Sequence, residues 1–86
     1  MWLAQVYVTL KPVVNDPQGL AIRDGLHHLG FGSVKSVRAG KYIEVWLDEP
    51  DKAAAEARVT DMCRKLLANP VIEDFRFQVE EVSADP

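Results

Sequence analysis

The stretch NDPQG, residues 15–19, places a carboxylate, a proline and a glycine where an extended pattern gives way to a helical one. Asp16 is a good helix N-cap, and Pro17 suits the first helical position. Gly19 needs another explanation, because glycine costs roughly 1 kcal/mol relative to alanine inside a helix. It suggests that the backbone closely approaches another segment or chain, and free N–H groups there could receive a carboxylate or phosphate. A plain cap and a contact site both stay open.

A second polar stretch, Arg38 to Lys41, presents the same choice. In one interpretation Gly40 forms the backbone of a hairpin turn and the two cations face solvent. In the other interpretation, the two cations form a protruding basic surface that binds an acidic surface or an anion. Lys11, at the end of the first extended run of the chain, could join such a basic patch.

Other residues that could do chemistry have simpler structural explanations. Cys63 lies beside an apolar helical stripe, which predicts a buried structural thiol rather than a nucleophile. His27 and His28 project about 100° apart on a helix, so they cannot form an i, i+4 metal pair. The carboxylates within residues 48–51 could hold a cation, but acids are also favoured near a helix start. No serine lies in a nucleophile-elbow pattern, and no phosphate-binding glycine loop opens a helix.

Alternating and helical periodicities predict six elements that would position these residues. The predicted strands are 2–11, 33–39, 41–47 and 71–82, and the predicted helices are 17–29 and 50–69. The second and third strands would form a hairpin that turns near Ala39–Gly40. The order βαββαβ predicts an α+β, ferredoxin-like two-layer sandwich, with a four-stranded antiparallel sheet and two helices on one face.

The helix-free face of this sheet is predicted to be apolar and aromatic. Its residues alternate with those assigned to the core and are Leu3, Tyr7, Tyr42 and Trp46. A domain of 86 residues buries only about 60% of its unfolded surface, so its stability is marginal. An apolar face on such a domain predicts self-association.

Composition and charge narrow the class of protein. The 86 residues suffice for one domain, and the net charge is −3, from 10 basic and 13 acidic residues. That balance argues against nucleic-acid binding, which usually needs a basic surface. One cysteine allows no intrachain disulfide. The sequence shows no signal peptide and no membrane span, so a soluble cytoplasmic protein is expected.

Five pieces of the sequence resemble one family in the right order. They are VYVTLKP, DPQG, LHHLGF, VRAGKYIEV and LLANPVIEDF, and they extend over about residues 5–79. The chain is similar to the PurS-type small subunit of phosphoribosylformylglycinamidine synthase. Asn15 departs from the family pattern, which would have an aliphatic residue before the aspartate.

The resemblance implies a non-catalytic role in purine biosynthesis. The complete enzyme, a ligase, converts formylglycinamide ribonucleotide to the amidine with ATP and glutamine. A glutaminase subunit releases ammonia, and a large synthetase subunit binds ATP, magnesium and the ribonucleotide. The small subunit would bind no cofactor, form a homodimer or higher oligomer, and help its partners assemble and pass ammonia. Residues 1–86 would be a single domain, with an ordered core over about 2–82 and a polar tail at 83–86.

The resemblance favours a subunit contact at the first polar stretch and leaves both interpretations of the second open. The predicted partner contacts are Lys11, Asp16, Pro17, Gln18, Gly19, Arg38, Gly40 and Lys41. Three alternative functions stay open: a small-molecule-binding regulatory domain of ferredoxin-like architecture, an acylphosphatase-like enzyme and an RNA-binding module. The last two are disfavoured, because the first loop lacks the arginine of a phosphate cradle and no aromatic RNA-binding run is present.

Overall fold

The computed structural model describes residues 1–84. The elements in chain order are strand β1 (Trp2–Leu10), helix α1 (Pro17–His28), strand β2 (Gly40–Leu47), helix α2 (Lys52–Met62), a π-helical turn (Cys63–Leu67) and strand β3 (Glu73–Glu81). The predicted polar tail, 83–86, lies partly outside the described residues. Within the described range, neither helix is long and apolar enough to cross a membrane.

β1 is the central strand of an antiparallel sheet with the order β2-β1-β3. Val6 of β1 lies opposite Ile43 on β2 and Phe77 on β3. Because side chains alternate between the two faces of a sheet, these residues share one face, here called the inner face. Tyr7 and Tyr42 pair on the other, outer face. The period-two prediction is confirmed for all three of these strands.

Helix α2 covers part of the inner face. Asp51 caps it by accepting a hydrogen bond from a first-turn backbone N–H at 2.8 Å. Ala55, Val59 and Cys63 are fully buried, and the helix lies over β1 and β3. Leu66, in the π turn, is 83% exposed, because the wider turn shifts the helical repeat and rotates this side chain away from the sheet.

The prediction of a four-stranded sheet is wrong, because residues 33–39 form no strand. A tight hairpin at Ala39–Gly40 would need a positive φ. Within 1–84 only Gly30, with φ 100°, has one. Gly40 instead opens β2 and lies opposite Thr9. The chain therefore enters β2 without reversing, and the sheet has three strands.

The prediction of two helices on one sheet face is also wrong, because α1 does not pack on the sheet. The helix and the return segment after it form an arm, residues 17–39. The described chain measures 50 × 29 × 16 Å. Its radius of gyration is 16.4 Å, against about 12 Å for a compact domain of this length. The arm therefore extends beyond the body formed by the sheet and α2.

Candidate subunit-contact site

The arm joins the sheet at the arm base, residues 11–19 and 37–41, which contains all eight predicted partner contacts. Its centre is Asp16, a carboxylate only 4% exposed. One oxygen, Oδ1, accepts a hydrogen bond from the Gly19 N–H at 2.9 Å and so caps α1. The other, Oδ2, accepts from the Ala39 N–H at 2.8 Å. A single carboxylate therefore ties the start of α1 to the end of the return segment.

Arg38 braces the loop between β1 and α1. Its Nη2 donates to the carbonyl oxygens of Lys11 and Val14, both at 3.0 Å. Its Nε lies 4.0 Å from Asp16 Oδ2, and the side chain remains 41% exposed. The guanidinium thus has a structural task within its own chain, and its role as a partner contact stays a prediction.

Two glycines let backbone segments approach closely at the arm base. A Cβ on Gly19 would overlap the carbonyl oxygen of Val37. A Cβ on Gly40 would lie 2.5 Å from the carbonyl oxygen of Val8. Neither glycine has a positive φ, so the lack of a side chain matters here for space and not for backbone conformation. The close approach expected at Gly19 is to the chain's own return segment.

Two ion pairs connect the arm base to the first residues of β3. Lys11 Nζ lies 2.9 Å from Asp74 Oδ1, and Lys41 Nζ lies 3.6 Å from Glu73 Oε2. A cavity of about 220 Å³ lies beside the pair of Lys41 and Glu73. Its lining includes four predicted contacts, Asp16, Gln18, Gly40 and Lys41. Folding therefore gathers residues from two separate sequence stretches around one cavity, with the exposed Gln18 among them.

Hydrogen bonding holds the pKa of Asp16 below its ordinary value of 3.8. The Gly19 N–H has the largest effect, followed by the Ala39 N–H, and the nearby Arg38 guanidinium adds a smaller one. All three favour the charged carboxylate and outweigh the opposing effect of burial. The group that organises the arm base is therefore an anion at neutral pH.

This lowered pKa makes the stability of the arm base depend on pH. Folding lowers the pKa of such a carboxylate. Its stabilisation is therefore complete at pH values above the pKa of the unfolded chain and is lost as the pH falls through the pKa of the folded chain. We expect the stability difference between the natural chain and Asp16→Asn to be constant between about pH 5 and pH 7 and to shrink below 3.8. Urea unfolding across this range measures it, and an undiminished difference at about pH 3 would contradict the assignment.

Other candidate chemical groups lie away from the arm base. Cys63 is fully buried, and burial raises the pKa of its thiol, as expected for a packing residue. A larger cavity of about 580 Å³ beside it extends from Arg64 and Phe75 to the edge of the arm base, where Lys11, Glu73 and Asp74 line it. In the described part of the chain, no three His, Cys, Asp or Glu side chains gather where they could hold a metal ion.

The four self-association candidates do share the outer face of the sheet. Leu3 lies opposite Trp46, and the Tyr7 and Tyr42 ring centroids are 5.2 Å apart. The guanidinium carbon of Arg76 lies 5.0 Å from the centroid of the Tyr7 ring. Polar groups interleave with the aromatic ones, so the face is not continuously apolar. Its role in self-association stays a prediction.

Sequence reasoning missed three groups that complete the arm base. Glu73 and Asp74 carry the ion pairs, and the Ala39 N–H carries a hydrogen bond. The two acids had a signal, because an antiparallel register places the start of β3 beside the end of β1, and Leu10 indeed lies opposite Glu73. The Ala39 N–H had no sequence signal, since any residue other than proline could donate the same backbone hydrogen bond.

Comparisons of the sequence with known proteins give one family. The model of the family PurS, phosphoribosylformylglycinamidine (FGAM) synthase, matches residues 3–81. Subunit PurS of this synthase from Bacillus subtilis is 48% identical over 84 residues, which cover 98% of this chain and 99% of that protein. The PurS subunit of Methanocaldococcus jannaschii is 39% identical over 82 residues, covering 95% and 99%.

Solved structures agree with the sequence comparisons. Bacillus subtilis PurS superposes with a TM-score of 0.84 at 47% identity, covering 94% of this chain and 100% of that one. A chain in the structure of PurLQS from Thermotoga maritima superposes with a TM-score of 0.82 at 28% identity, covering 93% and 99%. Sequence and fold therefore lead to the same conclusion: the chain belongs to the PurS family, whose members are subunits of phosphoribosylformylglycinamidine synthase.

Proposed function

We propose that this chain is a non-catalytic assembly subunit of the synthase, a ligase, and that it joins the glutaminase and synthetase subunits and supports ammonia transfer between them. It works as a homodimer in the cytoplasm. The observation that carries the proposal is the arm base, where residues from two sequence stretches surround one cavity on a rigid support. The similar chain in the Thermotoga maritima PurLQS structure supports a place in such a complex.

Rigidity makes the arm base suitable for binding other subunits. Association loses free energy whenever loops or side chains must be ordered on contact. Here Asp16 and Arg38 already fix the loop, the helix start and the return segment. Pro17 and Gln18 are exposed on this support. A partner can therefore bind them with little further ordering of this chain.

The chemical steps belong, in this proposal, to the other subunits, which use ATP, magnesium and glutamine. Cys63 is the only thiol of the chain, and its burial and raised pKa suit packing against the sheet rather than attack on glutamine. The contribution of this chain to amidine formation is then the relative placement of two other proteins. Its removal should uncouple their activities without abolishing either.

Reconstitution tests this function directly. The chain is mixed with the purified glutaminase and synthetase subunits, and amidine formation is measured with glutamine and, separately, with ammonium chloride as the nitrogen source. We expect the glutamine-dependent reaction to require the chain and the ammonia-dependent reaction to proceed without it. Equal glutamine-dependent rates with and without the chain would reject the bridging role.

Gln18 gives a specific test of the arm base as a contact surface. Its side chain is exposed, so Gln18→Glu should leave folding unchanged while placing a charge at the proposed interface. We expect a roughly tenfold weaker apparent affinity for the partner subunits, equivalent to about 1.4 kcal/mol. The titration follows glutamine-dependent activity against chain concentration. Ala53→Glu, which places the same charge at an exposed position of α2 outside both predicted contact surfaces, is the control and should behave like the natural chain.

A further inference from the structure

The cavity of about 580 Å³ beside Cys63, here called the π-turn cavity, has no task in the proposed function. Its volume lies within the range of about 300–1,000 Å³ that is usual for small-molecule sites. Its inner wall is apolar, with Cys63 and Ala68 buried and Phe75 partly buried. Charged side chains, Arg64 among them, line its rim. An apolar wall with a few charged groups is the usual composition of a ligand site.

The π turn builds this apolar wall. The Ala68 N–H donates to the carbonyl oxygen of Cys63 at 3.0 Å, a bond that closes the wide turn between them. In a regular α-helix, two residues with this spacing lie about 140° apart around the axis, so their side chains would diverge. The wider turn brings both side chains to the same cavity. Single π turns of this kind occur frequently at functional sites.

The turn that leads into β3 forms a fixed part of the rim. Glu73 Oε1 accepts the Asn69 N–H at 2.7 Å, which closes the turn on itself. The Lys11 N–H donates to the carbonyl oxygen of Ile72 at 2.8 Å, so the turn is also tied to the end of β1. Pro70, which lines the cavity, restricts the backbone further. The cavity is therefore already formed, and a small molecule can bind with little further ordering of the chain.

The charges of the lining favour an anion. Lys11 Nζ lies 2.9 Å from Asp74 Oδ1, and Lys41 Nζ lies 3.6 Å from Glu73 Oε2. Both carboxylates of the lining therefore already have a cation. Arg64 forms no ion pair within the described part of the chain. Its guanidinium can hold a carboxylate or a phosphate through two parallel hydrogen bonds. The lining thus has one unused positive charge beside an apolar wall.

We propose that the π-turn cavity binds a small organic anion, whose carboxylate or phosphate pairs with Arg64 and whose apolar body packs on Cys63 and Phe75. An aromatic body suits this wall, because the Phe75 ring can pack against a second ring in an offset or edge-to-face arrangement. The inference goes beyond the assembly role and does not depend on it. The site would place a metabolite next to the predicted partner contacts, because Lys11 belongs to both.

Titration of the full chain with benzoate, followed in amide NMR spectra, tests the proposal. Benzoate supplies a carboxylate and a ring, benzamide has the same shape without the charge, and acetate has the charge without the ring. We expect saturable shifts of the Ala68 and Phe75 signals with a Kd of about 1 mM, a usual affinity for about nine non-hydrogen atoms. Benzamide and acetate should each bind roughly tenfold more weakly or worse.

Phenyl phosphate distinguishes the two anionic groups that suit a guanidinium. It keeps the ring of benzoate and replaces the carboxylate by a phosphate, and it is titrated in the same way. Saturable shifts of the same signals with either probe support the site. The probe with the lower Kd identifies the anionic group that Arg64 prefers.

A matched pair of variants assigns the binding to Arg64. Arg64→Gln and Lys65→Gln each remove one exposed cation from the π turn, but only Arg64 lines the cavity. Lys65 instead lies 2.9 Å from Asp61, one turn earlier. We expect Arg64→Gln to weaken benzoate binding roughly tenfold and to leave benzamide binding unchanged. Lys65→Gln should bind benzoate like the natural chain.

Three results would overturn the proposal. Neither benzoate nor phenyl phosphate gives saturable shifts at the cavity, in which case it is no site for a small anion. Arg64→Gln and Lys65→Gln weaken binding equally, which would show only a general attraction of anions to a basic turn. Neither anion binds, and Arg64→Gln instead lowers the apparent affinity for the glutaminase or synthetase, which would assign the cavity to a segment of a partner. Binding is measured on the chain alone, so a failed reconstitution would leave this inference untouched.

Discussion

Asp16→Ala is expected to lower the free energy of unfolding by roughly two to three times as much as Asp51→Ala. Each aspartate caps a helix, and the loss of such a cap typically destabilises a protein by about 1 kcal/mol. Asp16 has a second task, since its Oδ2 also accepts the Ala39 N–H at 2.8 Å. Removing the carboxylate leaves that N–H without its partner, and Arg38 without the nearby charge. Urea unfolding at one fixed protein concentration measures both variants.

Asp51 is a close control because it caps α2 in the same way but is exposed and accepts a single backbone N–H, that of Ala54. A comparison of the two therefore isolates the bond to the return segment from the cap itself. If Asp16→Ala and Asp51→Ala lower the free energy of unfolding equally, the carboxylate of Asp16 is only a helix cap. Its hydrogen bond to the return segment would then contribute nothing to the stability of the arm base.

Gly19→Ala and Gly25→Ala are expected to change stability in opposite directions, although both replace a glycine in α1. Alanine raises intrinsic helix stability by roughly 1 kcal/mol at either position. At Gly25 nothing lies within 4 Å of the added Cβ, so we expect that gain. At Gly19 the Cβ meets the carbonyl oxygen of Val37, which is backbone and cannot rotate away. We expect a net loss of about 1–3 kcal/mol, typical of overpacking.

Urea unfolding of both variants measures the difference in sign. The Asp16 carboxylate also lies within 3.0 Å of the Cβ position on Gly19, so Gly19→Ala should weaken the cap as well. A stable Gly19→Ala variant would mean that the return segment can move away from α1. In that case the arm base could not be the rigid support on which the proposed function depends.

Most elements were predictable because their signals are local. The period of two in β1, β2 and β3 follows from one covered sheet face, and no distant residue is needed to recognise it. The start of α1 at Pro17, with Asp16 as its cap, follows from the same kind of short-range chemistry. The end of α1 follows local chemistry as well, since Gly30, just after the cap Leu29, has φ 100°, a conformation that glycine adopts readily.

The arrangement of the elements was not predictable in the same way. The error began with the hairpin turn predicted at Gly40. A glycine after a short extended pattern is compatible with a hairpin and with close packing against another strand. Gly40 packs closely against another strand, beside the carbonyl oxygen of Val8, and the chain continues straight into β2. That choice depends on contacts far away in sequence, and without the hairpin, residues 33–39 have no neighbouring strand at this turn.

The candidate site was predictable as a set of residues but not as a geometry. Both polar stretches were selected from the sequence, and the structure places them at one arm base. That Asp16 reaches Ala39, 23 positions later, could not be inferred, because an N-cap aspartate usually needs only its own first turn. The π turn that exposes Leu66 has no sequence signal either, since the apolar spacing continues through it.

The central position of β1 has a consequence for how this chain folds. β1 needs two partners, and one of them, β3, lies far from it along the chain. Trp2 lies opposite Glu81, and Leu10 lies opposite Glu73. Loop closure over such separations slows folding, because its entropic cost precedes the contacts that stabilise the sheet. Until β3 docks, the apolar residues of β1 remain partly uncovered and available to chaperones and to other chains.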